Sequence, residues 1–151
     1  NFIIKRFEKV RTWDHCDAIS CWILGEILGN NLFYSSNTKE MAHSKNQWLR
    51  RAAIVSTLPL IKKNKIDLTF RLAESLVYDN NIYVQKGAGW MLREAGKKNR
   101  VAVRDFILFH KNMKSVVLSY ATEKMLDVRK IIKDEKKAVS EEKKMRKVLK
   151  A

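Results

Sequence analysis

Apolar and polar residues follow one another along this chain with the spacing of amphipathic helices. In residues 66–77 and again in residues 101–110, apolar side chains recur three or four positions apart, which places them on one helix face. The chain also has a single Pro and only five Gly, too few turn-forming residues for a sandwich or a barrel. The pattern therefore predicts an all-α fold in which short polar segments connect the helices.

The helical segments recur with a period of 35 residues. At that offset, residues 46–64 align with residues 81–99, and both segments begin with Asn and end with Lys-Lys-Asn. The aligned positions include Trp48 with Tyr83, Arg51 with Lys86, and Ala53 with Ala88. One period earlier in the sequence, Trp13 aligns with Trp48 as an aromatic residue, and Ala18 aligns with Ala53 as a small one. Two helices per repeat of this length predict a HEAT-like helical repeat solenoid of antiparallel helix pairs.

Several residues mark where the helices are expected to begin and end. Helix starts are expected at Ser44, at Asp67, and at Asn80 or Asn81, because these side chains cap helix N-termini. Gly96 suits the position just after a helix. Pro59 is expected to bend the first helix of its repeat.

The last segment, from about Ser119, begins with helical apolar spacing and ends in a Lys/Glu run over residues 133–150. A solvated helix that frays at its end explains such a run, and a segment that contacts DNA or a membrane is the alternative. We assign residues 1–127 to a HEAT-like repeat domain and residues 128–151 to a basic C-terminal helix or tail.

The chain is strongly basic. Its 31 Lys and Arg against 16 Asp and Glu give a net charge of +15, of which residues 128–151 contribute +6 and residues 1–127 contribute +9. Like charges repel one another in a compact fold, so this excess indicates a polyanionic partner, nucleic acid first and an anionic membrane surface second. No apolar run approaches the roughly 18 residues of a membrane span.

The spacings of metal, nucleotide-binding and nucleophilic-triad sites do not occur in the sequence. His15, His43 and His110 share no ligand spacing, and Cys16 and Cys21 do not form a CxxC pair. The two cysteines are expected to be reduced residues in or near the core. An enzyme made of these residues would act through carboxylates, cations and aromatic side chains, and no cofactor is implied.

Three short motifs stand in order along the chain. They are Trp-Asp-His-Cys-Asp at residues 13–17, Trp-Leu-Arg-Arg-Ala-Ala-Ile at residues 48–54, and Gln-Lys-Gly-Ala-Gly-Trp-Met-Leu-Arg-Glu at residues 85–94. Over roughly residues 5–125, their order and separations resemble those of the DNA alkylation repair family, whose members include HEAT-like alkylpurine DNA glycosylases. One departure is that Gly87-Ala88-Gly89 is richer in glycine than the family's usual helix before the tryptophan, and each Gly disfavours a helix by roughly 1 kcal/mol.

The resemblance implies a role for each matching residue. Asp17 corresponds to the catalytic carboxylate, and Trp13 and Trp90 correspond to the aromatic walls of the lesion site. Arg51 corresponds to the cation that binds the DNA backbone beside them. The supporting backbone cations would be Arg50, Lys86 and Arg93. Family members usually have further helices before the first motif, so we expect N-terminal helices to be missing from the domain.

The implied reaction suits these residue types. A purine alkylated at N3 or N7 already carries positive charge, so it can leave its sugar without a general acid. A carboxylate stabilises the oxocarbenium-like sugar and orients the attacking water. Indole faces contribute a cation–π attraction of about 0.5–2 kcal/mol, and Arg binds phosphate bidentately.

Each residue also has a structural interpretation. Asp17 could cap a helix, Trp13 and Trp90 could pack between repeats, and Arg51 could be a solvated residue or a partner in an intrahelical ion pair. Two further tryptophans are expected to be structural: Trp48, the repeat equivalent of Tyr83, and Trp22, within the apolar run of residues 19–28.

The sequence thus predicts a cytoplasmic, nucleoid-associated, monomeric glycosylase that removes cationic N3- and N7-alkylated purines from double-stranded DNA, with no membrane partner. Two alternatives stay open at this point. One is a HEAT-repeat protein that binds DNA without catalysis. The other is a protein–protein scaffold of the ordinary HEAT kind.

Overall fold

The computed structural model describes residues 2–30 and 34–150, and every regular element within them is helical. The α-helices are α1 (Phe2–Arg6), α2 (Trp13–Ile19), α3 (Gly25–Asn30), α4 (Tyr34–Ala42), α5 (Gln47–Val55), α6 (Leu58–Lys62), α7 (Asp67–Leu76), α8 (Ile82–Gly96), α9 (Arg100–Phe109), α10 (Ser115–Ala121) and α11 (Leu126–Leu149). A 3₁₀ turn (Phe7–Lys9) follows α1, and a π turn (Ser20–Leu24) joins α2 to α3. The predicted all-α fold is confirmed.

The principal helix contacts arrange one helix of each repeat into a row. In this row α5 packs between α2 and α8, and α10 packs on the far side of α8. The second helices lie alongside: α4 contacts α7, Phe70 of α7 stacks on Phe106 of α9 at 5.2 Å between ring centroids, and α9 contacts α11. Contacts of this kind join neighbouring repeats, as stacked repeats require. The superhelical path of a solenoid stays a prediction.

The 35-residue period appears in the structure as a repeated helix start. Trp13, Trp48 and Tyr83 stand in the first turns of α2, α5 and α8. Asn46 Oδ1 accepts a hydrogen bond from Trp48 N at 2.8 Å, and Asn81 Oδ1 accepts one from Tyr83 N at 2.9 Å. Each Asn cap stabilises its helix by about 1 kcal/mol. The same device therefore sets the start of the row helix in two successive repeats.

The predicted helix ends are partly confirmed. Asp67 and Asn81 mark helix starts as expected. The expected start at Ser44 is wrong, because Asn46 caps α5 and Ser44 Oγ instead accepts from Asn46 N at 3.1 Å. Gly96 does not follow α8 but is its last helical residue.

Pro59 separates α5 from α6. The chain leaves α5 at Val55 and re-enters a helix at Leu58, with Pro59 in the first turn of α6, where its missing N–H is not needed. Pro59 therefore interrupts the first helix of its repeat, where a bend was expected. Gly25 is required opposite it, because a Cβ at Gly25 would lie 2.5 Å from Pro59 Cγ.

One hydrophobic cluster runs through the described residues, from Phe7 in the 3₁₀ turn to Ile132 in α11. Trp48 is buried in it as expected, tilted against Tyr83 at 5.1 Å between ring centroids. The prediction that Trp22 belongs to the core is wrong, since 80% of this residue is exposed. Along α2, the π turn and α3, a row of buried side chains recurs every four residues, namely Cys16, Ser20, Leu24 and Leu28. Trp22 lies midway between two members of this row in the sequence, so its side chain projects away from the core.

Helix α11 joins the core only at its start. Val128 and Ile132 are buried, whereas residues 133–150 are exposed throughout. The helix begins at Leu126, so no break separates the two segments assigned from the sequence at residue 128. Among the helices described, none has the length and apolar character needed to cross a bilayer.

Candidate functional site

The first feature of the site is an ion pair between the first two repeats. Asp17 lies on α2, four residues after Trp13, so both side chains project from one helix face. The Asp17 carboxylate accepts hydrogen bonds from Arg51 Nε and Arg51 Nη2 of α5, each at 2.7 Å. The side chain of Asp17 is 14% exposed and that of Arg51 is 7% exposed. The carboxylate is thus fixed in orientation and keeps a small solvent-accessible edge.

The third repeat completes the hydrogen bonding of Arg51. Arg51 Nη1 donates to the carbonyl oxygen of Tyr83 in the first turn of α8, at 2.5 Å. Gly87 lies one turn further along α8, and a Cβ there would lie 3.3 Å from both Cγ and Nη1 of Arg51. The absence of a side chain at Gly87 therefore leaves room for the guanidinium. One arginine in this way links α2, α5 and α8.

A cleft of about 310 Å³ opens beside this ion pair, with Arg51 in its lining. It is lined by Trp13, Arg51, Tyr83, Lys86 and Tyr120, which come from α2, α5, α8 and α10. Trp13 is 54% exposed, so a large part of its indole is accessible to a ligand in the cleft. Lys86 has no ion-pair partner within residues 2–30 and 34–150. The cleft combines aromatic faces with positive charge, and Asp17, the partner of Arg51, is not among the residues that line it.

Trp90 lies close to this cleft without lining it. It stands four residues after Lys86 on α8, so the two side chains share a helix face. Trp90 is half-buried and packs against the hydrophobic cluster. Its predicted role as a wall of the lesion site stays a prediction.

Two of the predicted supporting cations, Arg50 and Arg93, form ion pairs with carboxylates of the protein itself. Arg50 Nε and Nη2 donate to the Asp79 carboxylate at 2.7 and 3.2 Å, and Arg50 Nη1 donates to the carbonyl oxygens of Ser44 and Lys45. Arg93 pairs with Glu123 and lies 3.6 Å from Glu94. These arginines, like Arg51, are therefore tied to carboxylates, and their predicted contact with DNA phosphates stays a prediction.

The structural interpretations of Asp17 and Arg51 raised by the sequence are both wrong. Thr12 stands at the N-cap position of α2, and Asp17 lies inside the helix. Arg51 is buried, and its partner belongs to a different helix 34 residues away.

Sequence reasoning did not identify Tyr83 and Tyr120 as site residues. The repeat pointed to Tyr83, but only as the equivalent of the buried Trp48. Extending the 35-residue offset aligns Tyr120 with Arg50 and Gln85, which share no residue type with it. Its place in the cleft follows from the close packing of α10 on α8. At Gly89, a Cβ would lie 2.5 Å from Tyr120 Cβ.

Cys16, on the same helix as Asp17, is a buried thiol that stays protonated at neutral pH. Cys16 Sγ donates to the carbonyl oxygen of Trp48 at 3.3 Å, and Ser20 Oγ donates to the carbonyl oxygen of Cys16 at 2.6 Å. Burial, with a smaller contribution from the charge of Asp17, raises the pKa of the Cys16 thiol to about 12. Both cysteines are free, as the sequence predicted. Within the described residues, no three His, Cys, Asp or Glu side chains cluster as a metal site would require.

Comparison with known proteins adds one match to this geometry. A family model described as DNA alkylation repair enzyme matches residues 1–125 of the chain. The chain belongs to this family. Comparisons with curated proteins and with solved structures found no match.

Membership of the DNA alkylation repair enzyme family confirms the resemblance that the three motifs carried. It supports a role in DNA repair and makes DNA the expected partner, in agreement with the net charge of +15. The ion pair, Trp13 and the cleft all lie within the residues that the family model matches.

Proposed function

We propose that the chain is a DNA glycosylase that hydrolyses the N-glycosidic bond of cationic N3- or N7-alkylated purines in duplex DNA. The observation that carries the proposal is the Asp17 carboxylate, held bidentately by Arg51 beside a cleft with an exposed indole. Membership of a DNA alkylation repair family supports the substrate class.

In the proposed reaction, the bond between C1′ of the sugar and the purine nitrogen breaks. Its electron pair moves onto the base, which leaves neutral because it began with a positive charge. The sugar becomes oxocarbenium-like, and the nearby Asp17 carboxylate stabilises that charge. Water adds to C1′ and releases a proton to the solvent, so the products are an abasic site and a free alkylpurine.

The residues that line the cleft position the substrate in this scheme. The exposed face of Trp13 packs against the deoxyribose and its developing positive charge. Lys86, which has no partner of its own among the described side chains, binds a neighbouring phosphate. Arg51 keeps the carboxylate in one rotamer, so that no reorganisation is needed when the charge develops.

The proposal is tested by release of free base from duplex DNA that carries N7-methylguanine or N3-methyladenine. We expect the unmodified chain to release base above the spontaneous rate and Asp17→Asn to be slower by roughly a hundredfold, the usual loss when an electrostatic stabiliser of a transition state is removed. Asp14→Asn is the matched control, because Asp14 is an exposed acid on the same helix.

Since Asp17→Asn also weakens the pair with Arg51, thermal unfolding and binding to undamaged duplex are measured on both variants. Loss of base release with retained folding and binding supports the proposal. The absence of any release above background by the unmodified chain overturns it.

One observation favours a second candidate, a repair protein that binds DNA without catalysis. Arg51 accounts for both oxygens of Asp17 and also links three helices, which is what a purely structural ion pair would do. For such a protein, duplex binding without base release is the expected result.

A further inference from the structure

One face of the C-terminal helix carries basic residues and no acidic ones. Positions 129, 133, 136, 140, 143, 147 and 150 recur four and three residues apart, so they form one stripe along α11. Six of the seven are Lys or Arg, the seventh is Ser140, and none is acidic. We call this set the α11 stripe.

The acidic residues lie on the other side of the helix. Between residues 133 and 150 they are Asp134, Glu135, Glu141 and Glu142. The ion pairs of this segment use cations outside the α11 stripe, namely Lys137 with Glu141, Arg146 with Glu142, and Lys111, between α9 and α10, with Glu135. Within the described residues, the stripe lysines at 133, 136, 143, 147 and 150 have no ion-pair partner. A Lys/Glu helix can pair opposite charges three or four residues apart, and in the described part of the chain the stripe lysines take no part in such pairs.

We propose that the α11 stripe binds the phosphate backbone of duplex DNA, as a second contact surface beyond the cleft. The inference rests on the proposed function for the identity of the partner. Like charges three and four residues apart destabilise a free helix, and a polyanion removes that repulsion. From Lys133 to Lys150 the stripe extends roughly 26 Å at 1.5 Å per residue, which corresponds to about seven or eight base pairs at 3.4 Å each.

The stripe also begins beside the candidate cleft. Its first member, Arg129, donates to Thr122 Oγ1 at 2.8 Å and to the carbonyl oxygen of Ser119 at 2.5 Å. Ser119 is the neighbour of Tyr120 on α10, and Tyr120 lines the cleft. Arg129 therefore anchors α11 to the helix that forms one wall of the cleft, and the free lysines continue from that anchor.

The opposite face of α11 argues against an anionic membrane as the occupant. A helix lying in a bilayer interface needs an uninterrupted apolar face opposite its cations. Here the exposed apolar residues Met145, Val148 and Leu149 share their side of the helix with four acidic residues. Inserting that side would desolvate carboxylates, whereas the stripe itself carries no carboxylate.

The test measures binding to a short undamaged duplex as a function of salt concentration. The stripe variant Lys143→Gln/Lys147→Gln is compared with Lys137→Gln/Arg146→Gln, which removes the same charge from the same stretch but outside the stripe. The loss of two phosphate contacts should make the slope of log K against log salt shallower, reducing its magnitude by about 1.8. Raising salt from about 50 to about 200 mM should then weaken the unmodified chain roughly tenfold more than the stripe variant.

The control variant is expected to change the slope by less than about 0.5. Equal slope changes in the two variants, or no change in either, overturn the inference. So does stripe-dependent binding to phosphatidylserine vesicles without a stripe-dependent DNA slope. Base release from methylated duplex is scored separately, so a chain without glycosylase activity can still show the stripe effect, and an active chain can still lack it.

Discussion

Arg51 is the residue on which three repeats converge, because its guanidinium reaches Asp17 on α2 and the Tyr83 carbonyl on α8. Removing the guanidinium leaves a carboxylate that is mostly buried and unpaired. We expect Arg51→Gln to lower the free energy of unfolding by about 2 kcal/mol, less than a fully buried pair would lose, because Asp17 keeps a solvent-accessible edge. Urea denaturation followed by circular dichroism measures the change.

Lys86→Gln provides a repeat-matched control for that variant. It removes a cation from the equivalent position one repeat later, where no carboxylate is paired, and should change stability by no more than about 0.5 kcal/mol. Similar losses in the two variants would contradict the structural role assigned to Arg51. The double variant Asp17→Asn/Arg51→Gln should recover part of the loss, because the unpaired charge is gone.

Cys16 supplies a second prediction at this scale. Burial raises its pKa from 9.0 to about 12, so between those values the unfolded chain ionises the thiol while the folded chain keeps it protonated. The free energy of unfolding should therefore fall as the pH rises above 9.0, and it should fall less in Cys16→Ala.

Native-state labelling with a thiol reagent should modify half-buried Cys21 well before Cys16. Equal labelling rates would contradict the buried position of Cys16.

At the scale of the elements, much of the fold could be predicted from the sequence. The helical spacing and the cap at Asn81 are local, and the 35-residue period brings equivalent residues to equivalent places, although the equivalent cap at Asn46 was missed in favour of Ser44. Trp22 could not be placed, because its helix buries a row that includes the polar Ser20, which a hydrophobic pattern does not mark. The motifs located Asp17 and Arg51, but their mutual pairing depends on the contact between α2 and α5.

The two glycines before Trp90 show the same limit. Counted as helix propensity they predict a weakened α8, yet each makes room for a neighbour: Gly87 for Arg51, and Gly89 for α10. Only the packing of the helices reveals that purpose.

Gly89→Ala therefore should destabilise the protein although Ala favours helices. The new Cβ would lie 2.5 Å from Tyr120 Cβ and 2.8 Å from the Val117 carbonyl oxygen, so α10 must shift. We expect a loss of about 1–3 kcal/mol, typical of overpacking. Gly96→Ala is the control on the same helix, because its nearest neighbours stand at 3.7 Å, and it should be neutral or stabilising by about 0.5 kcal/mol. Thermal unfolding of both variants decides; a stabilising Gly89→Ala would contradict the close approach of α8 and α10.

At the scale of the whole molecule, the parts that hold the fold and the parts that bear the unpaired charge are largely separate. The core ends at Ile132, whereas the stripe lysines continue to Lys150 with no buried side chain among residues 133–150. The cleft, in contrast, is built from the row helices themselves and depends on their packing. Stability and duplex binding should therefore respond to different substitutions.

A chain that ends at Val139 tests this separation. It keeps Val128, Ile132 and the Lys111–Glu135 pair, so its free energy of unfolding should match that of the full chain within about 0.5 kcal/mol. It loses three stripe lysines, so the magnitude of the salt slope of duplex binding should decrease by about 2.7.

Ile132→Ala should have the opposite pattern of effects. It should lower the free energy of unfolding by about 2–4 kcal/mol and leave the salt slope unchanged in conditions where the variant is folded. Calorimetry and salt titration measure the two quantities independently. If the shortened chain instead unfolds at a much lower temperature, the exposed part of α11 contributes to the fold, and its lysines lose their separate role.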